Sequence, residues 1–385
     1  MSTLLVLAQL SLSAQVIPVA TRVDGIPGGG SLTELRFVQS VVHGGWSRGS
    51  LDLTATLSLE GLTMPGGQLN PGAWGEGFID RRHPHTYLHE AVLSLTDALE
   101  LPLVSWSVSA GKGFAPFGTD DPMSRPAVAF PVNHHWSQVL ERAFVAAAVS
   151  AGPAMIEGAL FNGDEPESPG QWPQWNRFAD SWSLRATLTG GPLEAQLSRA
   201  RVLSPEHRQG AGLEHLMWSG SVRFEQNGII ALAEFARTDE EGAFQFSSVL
   251  AEAELRRGRH RPYARFERTE RPEEMRVFGD PFRGVRPHNE NSNLGTTRWT
   301  VATAGYGHRR GGFGPLQLET IAEISLAHVS SVTGIIIVPE QFYGRNDLWS
   351  FSVGLRIAAG SRPHRMGRYG LARQPGNHPV NGHAH

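Results

Sequence analysis

The residues best suited to chemistry lie between Asp80 and Glu90, where DRRHPHTYLHE gathers three histidines and two carboxylates into eleven residues. Imidazole nitrogens and carboxylate oxygens are transition-metal ligands. His83, His85 and His89 have even spacings, which place them on one face of an extended strand. A second histidine pair, His134 and His135, follows in NHHW. With Asp80, these residues form a candidate zinc or copper site. Polar side chains that tie loops to a rim would have the same composition.

Two further stretches are acidic. Asp120 and Asp121 close the segment GKGFAPFGTDDPM, residues 111–123. Their oxygens suit a hard cation, although an aspartate before a proline is also an ordinary turn cap. NGDEPE, residues 162–167, reads as solvated surface or as a place for divalent ions that bridge lipopolysaccharide. Arginine is concentrated in residues 256–271, at seven positions of sixteen. There is no P-loop, dinucleotide fingerprint or HExxH motif. No catalytic residue is therefore assigned, and the expectation is a protein that is not an enzyme.

The elements that must position these residues repeat one rhythm. About ten alternating residues lead to a short turn, ten more follow, and a longer polar loop closes the unit. In residues 103–112, Val104, Trp106, Val108 and Ala110 oppose Ser105, Ser107, Ser109 and Gly111. In 181–189, Trp182, Leu184, Ala186 and Leu188 oppose Ser183, Arg185 and Thr187. In 348–357, Trp349, Phe351, Val353, Leu355 and Ile357 oppose Ser350, Ser352, Gly354 and Arg356. Such period-2 alternation marks strands with one apolar and one polar face. A soluble sandwich also alternates, but its strands average five or six residues.

Loop lengths decide between the two. Short links fall near 98–102, 151–153, 190–192, 227–228, Gly258 and 310–315. Long ones fall at 65–84, 113–136, 162–180, 204–213, 271–295 and 329–346, with one short exception near 239–242. Outer-membrane barrels pair short periplasmic turns with long outer loops. The fold class expected is therefore all-β: an antiparallel transmembrane β-barrel spanning residues 15–360. Fourteen strands are counted from Ser50 onward. Residues 15–22 and 35–43 add two more, giving about sixteen, with fourteen as fallback if they stay outside the wall.

Composition agrees. The chain has 385 residues, no cysteine and a net charge of −3. That excludes a disulfide framework and gives no reason to expect nucleic acid as a partner. No apolar run is long enough for a membrane helix, which a barrel does not need. Lysine is rare, with Lys112 an exception, so fixed positive charge is almost all arginine. Residues 4–12 form a short apolar stretch before Ser13-Ala14-Gln15, which reads as a signal peptide covering 1–14. An ordinary apolar N-terminus would look alike. Residues 361–385 are polar, rich in His and Arg and poorly patterned, and are expected to be a disordered periplasmic tail.

On these faces Ser105, Ser107, Ser109, Arg185, Arg265, Glu267 and Arg356 are expected to line a pore. An arginine facing lipid at mid-membrane would cost about 2–4 kcal/mol. Phe114, Phe117, Asp120 and Asp121 are expected on a constriction loop, because apolar residues in an outer loop need an interior to pack against.

Three runs carry a resemblance. DRRHPHTYLHE, NHHW and LFNGDEPE, in this order and approximate spacing from about Ser50 to Glu206, resemble a group of uncharacterised porin-like bacterial outer-membrane proteins. The resemblance implies a transmembrane β-barrel in the outer membrane of a Gram-negative cell. It assigns no ligand and no functional residue.

The expected function is a porin-like channel for small hydrophilic solutes or ions. Its partners would be outer-membrane lipid and lipopolysaccharide and the transported solutes, with homo-oligomers in view and nucleic acid excluded. The alternatives are a copper- or zinc-binding barrel with its site at the lumen mouth, and an outer-membrane enzyme that modifies lipid.

Overall fold

A computed structural model describes residues 8–26, 28–64, 85–97, 103–134, 136–166, 168–205, 210, 212–242, 244–272, 294–334, 336–360 and 365–373. Sixteen strands form one closed antiparallel barrel, each paired with its neighbours in sequence. They are β1 Gln9–Asp24, β2 Ser31–Arg48, β3 Leu51–Ser58, β4 Leu88–Thr96, β5 Ser105–Gly113, β6 Arg142–Ala151, β7 Ala154–Phe161 and β8 Ser181–Gly190. The second half comprises β9 Leu193–Leu203, β10 Glu214–Gln226, β11 Ile229–Glu240, β12 Phe244–Leu255, β13 His260–Pro272, β14 Thr296–Phe313, β15 Leu316–Thr333 and β16 Asp347–Gly360.

The barrel closes where β1 meets β16, in register from Ser13↔Gly360 to Asp24↔Trp349. Closure leaves no edge strand, which a lipid environment requires because it offers no hydrogen-bond partners. Both early strands thus belong to the wall, so the count is sixteen and not fourteen. β1 also reaches further back than expected. Residues 9–14, placed within the leader, pair with β2 and β16.

Alternation sets the two faces. Leu184, Leu188, Leu197, Val222, Phe235, Phe266, Leu326, Phe351 and Val353 lie exposed on the outside. Their neighbours in sequence point inward and are buried, including Ser183, Arg185, Ser198, Glu234, Arg265, Glu267 and Ser352. One face suits hydrocarbon, and the other would be costly there.

The turns at one end are tight. Asn227 and Gly228 link β10 to β11 with φ of 53° and 78°. Two left-handed residues in succession make the hairpin turn whose twist matches that of the strands. A Cβ on Gly228 would meet the Arg256 carbonyl oxygen at 2.4 Å, so the position also needs glycine for space. At the opposite end two short helices lie in the loops, α1 Glu60–Thr63 and α2 Pro339–Tyr343.

Candidate functional site

The link from β5 to β6, residues 114–141, does not extend away from the barrel. It turns into the lumen and crosses it. Its apolar residues Phe114, Phe117, Met123, Phe130, Val139 and Leu140 pack with inward residues of β6, β7, β9 and β10. This burial explains why an outer loop carries so many apolar side chains.

Backbone groups buried in a lumen need partners, and the inward charges supply them. On one side the Gly118 amide donates to Ser198 Oγ (3.1 Å), and Arg185 donates to the Gly118 carbonyl (3.3 Å). Across the lumen the Glu323 carboxylate accepts the amides of Val128 (2.8 Å) and Ala129 (3.1 Å). Glu267 accepts the Val132 amide (2.7 Å), and Arg265 donates to the Ala129 carbonyl (2.5 Å). Gln39 of β2 donates to the Val128 carbonyl (3.3 Å). The loop therefore touches β2, β8, β9, β13 and β15, reaching opposite walls. Arg125 adds an ion pair to Glu234 of β11 at 2.7 Å.

The wall charges also pair with one another. Arg185 grips Glu157 with two bonds of 2.7 and 2.8 Å. Glu319 accepts two bonds from Arg261 (2.9 and 2.7 Å) and one from Arg356 (3.0 Å). Bidentate geometry and low exposure make these stronger than surface pairs.

A second segment enters from the other end. Residues 365–373 fold back into the lumen beneath the constriction loop, which corrects the expectation of a disordered tail for this stretch. The rest of 361–385 lies outside the described residues. Arg365 donates to Asp120 (2.6 Å) and, through two nitrogens, to Glu194 (2.6 Å each). Arg368 lies 3.4 Å from Asp120. Tyr369 Oη donates to Glu90 (2.6 Å) and accepts the Phe114 amide (3.1 Å), and its ring stacks on Phe144. The Leu371 amide donates to Ser107 Oγ (3.1 Å). A Cβ on Gly370 would meet that same Oγ at 2.4 Å, so only glycine lets the backbone pass so close. Burial alone would raise the Asp120 carboxyl. Arg365, Arg368 and Arg223 outweigh it and hold Asp120 below the usual carboxylate range.

The histidines form a third cluster, near the outer end of β4. His85 and His89 have ring centroids 4.8 Å apart, and His85 and His134 6.0 Å apart. Each of the first two holds a buried glutamate through Nδ1: His85 with Glu60 at 2.6 Å and His89 with Glu141 at 2.7 Å. Burial would lower the His85 pKa, but Glu60 pushes it up to about 9, so the ring is cationic at neutral pH. Lys112 stands 4.0 Å from Glu141. Glu141 sits below the usual range because Lys112, His89 and His85 override the effect of burial. The cluster therefore clamps the ends of the constriction loop electrostatically.

As a metal centre the cluster is incomplete. Among the described residues, no group of three His, Asp or Glu side chains is arranged to hold an ion. Asp80, His83 and His135 lie outside the described residues. Asp121 accepts the Met123 amide at 2.7 Å as the cap of a short turn, and Asp120 is occupied by arginine. In the acidic run, Asp164 is buried against Asn162 and Glu165 pairs with Arg142. Glu167 lies outside the described residues.

The expected pore residues Ser105, Ser107, Ser109, Arg185, Arg265, Glu267 and Arg356 all sit on the inward face. They are joined by Arg125, Glu194, Glu234, Tyr263 and Glu323, which the sequence did not single out. Tyr263 donates to Glu323 at 2.9 Å. Alternation within β9, β11 and β15 assigns the glutamates to the lumen. No local signal marks which of them the loop would reach.

No family model and no curated protein matches the chain. Solved structures do. An anion-selective porin from Comamonas acidovorans is similar over 91% of this chain and 100% of its own, at 12% identity and a TM-score of 0.52. OmpF of Salmonella typhi, in complex with daunomycin, is similar over 90% and 97%, at 8% identity and a TM-score of 0.53. OmpT of Vibrio cholerae, in a trimer form, is similar over 91% and 99%, at 11% identity and a TM-score of 0.52. The fold is that of porin-like bacterial outer-membrane barrels. The apolar outer face of the barrel suits a hydrocarbon surrounding.

Proposed function

We propose that this barrel is a narrow outer-membrane channel for small hydrophilic solutes or ions. The observation that carries the proposal is the segment 114–141, laid across a charged lumen and docked on opposite walls. A loop that only capped the barrel would have no use for carboxylates aimed at its amides from within. The fixed arginines and glutamates that line the lumen would set which charge passes. The exposed outer face suits lipid, and assembly into homo-oligomers belongs to the same proposal.

Single-channel recording in planar bilayers tests it. The folded, full-length protein is expected to give discrete conductance steps that are small for a sixteen-stranded barrel. A pure, heat-modifiable sample with no steps would overturn it.

A second reading, copper or zinc binding, would have to draw His85 and His89 away from Glu60 and Glu141, with His134 beside them. Elemental analysis after supplying either metal tests this, with His85→Ala and His89→Ala as controls. Metal retained by the native protein and lost in both variants supports it, and no retention rejects it.

A further inference from the structure

The carboxylates that hold the tail form a site of their own. Asp120 comes from the constriction loop, Glu194 from the periplasmic end of β9 and Glu90 from β4. All three are buried. Asp120 and Glu194 are bridged by the Arg365 guanidinium, and Arg368 lies against the same pair at 3.4 and 3.9 Å. Glu90 accepts the Tyr369 hydroxyl and, at 3.3 Å, the Gly367 amide. Remove the tail, and of the arginines paired with Asp120 only Arg223, at 3.3 Å, belongs to the wall. The lumen then presents Asp120, Glu194 and Glu90 without the partners that the tail supplies.

The tail follows β16 in the chain, and a cleft of about 430 Å³ opens beside its residues 371 and 373. That cleft is bordered by Ser11, Trp46, Asp52, Leu371 and Arg373. Besides its charge-assisted bonds, the segment packs Met366 and Tyr369 into the apolar cluster of the constriction loop and Leu371 and Ala372 against Ala148 and Met155. All of these contacts lie inside the lumen, so the segment can leave without unfolding the wall.

We propose that residues 365–373 are a built-in plug that occupies, by mimicry, a binding site for cationic solutes bearing a guanidinium or primary amine. Arg365 and Arg368 stand where the solute's charged groups would lie. Tyr369 stacks where its body would rest, between Phe144 and the loop. The proposal rests on the channel reading only for what the released lumen would pass. Docking itself is read without any current.

The test is limited chymotrypsin digestion of the full-length protein in detergent, with cleavage after Tyr369 followed by mass spectrometry. Cleavage there tracks how often the tail is undocked. In the native protein it should be slow. In Asp120→Asn combined with Glu194→Gln it should rise about tenfold, as expected for losing charge-assisted bonds. Arg365→Gln with Arg368→Gln, confined to the tail, should do the same and serves if the first variant does not refold.

Agmatine, which carries one guanidinium and one amine, should accelerate cleavage of the native protein more than sodium chloride of equal ionic strength. Equal cleavage in native and tail variants would overturn the plug. Agmatine no better than sodium chloride would overturn the cationic site. If docking behaves as proposed and bilayers show no current even from the Arg365→Gln, Arg368→Gln variant with its tail released, it is the channel reading that fails.

Discussion

Two segments enter this lumen from opposite ends, and they are held differently. The constriction loop is fixed to the wall at both ends, packs an apolar cluster against β6, β7, β9 and β10, and gives its amides to glutamates of β13 and β15. The tail is held by Arg365, Arg368, Tyr369 and Arg373 on four carboxylates, with Met366 and Tyr369 in the loop's apolar cluster and Leu371 and Ala372 packed against Ala148 and Met155. The difference teaches which parts of a filled barrel are permanent. A doubly anchored loop with an apolar core is part of the fold. A segment joined to it through arginine–carboxylate pairs is, as we propose, a removable part of it.

That contrast breaks first at Arg125. Its partner Glu234 is fully buried, so Arg125→Gln leaves an uncompensated anion and should destabilise the barrel by about 3–5 kcal/mol. A urea titration followed by tryptophan fluorescence would show it. A loss under about 1 kcal/mol would mean the loop is not part of the cooperative unit.

Phe117→Ala probes the apolar half of the same anchorage. The side chain is buried in the cluster, and its removal should cost about 3 kcal/mol in the same titration.

His85, paired with Glu60 in the β3–β4 link and packed on Phe130 and His134 of the loop, makes the loop, but not the tail, sensitive to alkaline pH. The folded-state pKa of His85, about 9, lies above its ordinary value, so the protonated ring stabilises the fold. That contribution is fully present below about pH 6.5 and is lost as pH rises through about 9. It is worth at most about 3 kcal/mol. Melting temperature should therefore fall between pH 6.5 and 10, and His85→Gln should flatten the profile in that window.

The smallest effect belongs to the tail. Tyr369→Phe removes two hydrogen bonds, one to buried Glu90, which keeps Thr56 at 2.6 Å, and one from the Phe114 amide. Docking should weaken by about 1–2 kcal/mol in hydrogen exchange of residues 365–373, while the urea midpoint of the barrel stays within error. A matching shift of that midpoint would erase the distinction between loop and tail.

Much of the wall was legible in the sequence. In residues 181–189 every second residue is apolar, and the structure puts Leu184 and Leu188 outside and Ser183 and Arg185 inside. Loop parity likewise led to sixteen strands. The candidate site was only half legible. Phe114 and Phe117 signalled an inward loop because apolar residues need an interior. The tail gave no periodic signal, and its Arg-and-Gly-rich composition matched that of a solvated extension. Its one structural hint, Tyr369 set between Arg368 and Gly370, becomes informative only once Glu90 and Ser107 are known to face it.

The sequence by itself determined which face each strand residue takes, because side-chain direction in a strand alternates with a fixed period. It narrowed the number of crossings to sixteen or fourteen through the lengths of the links, and the pairing of β1 with β16 decided for sixteen. Only the tertiary structure decided who meets whom inside. Asp120 meets Arg365 across 245 residues, and Val128 meets Glu323 across 195. Alternation specifies a direction but no partner across the lumen, and that pairing exists only once the sheet has closed on itself.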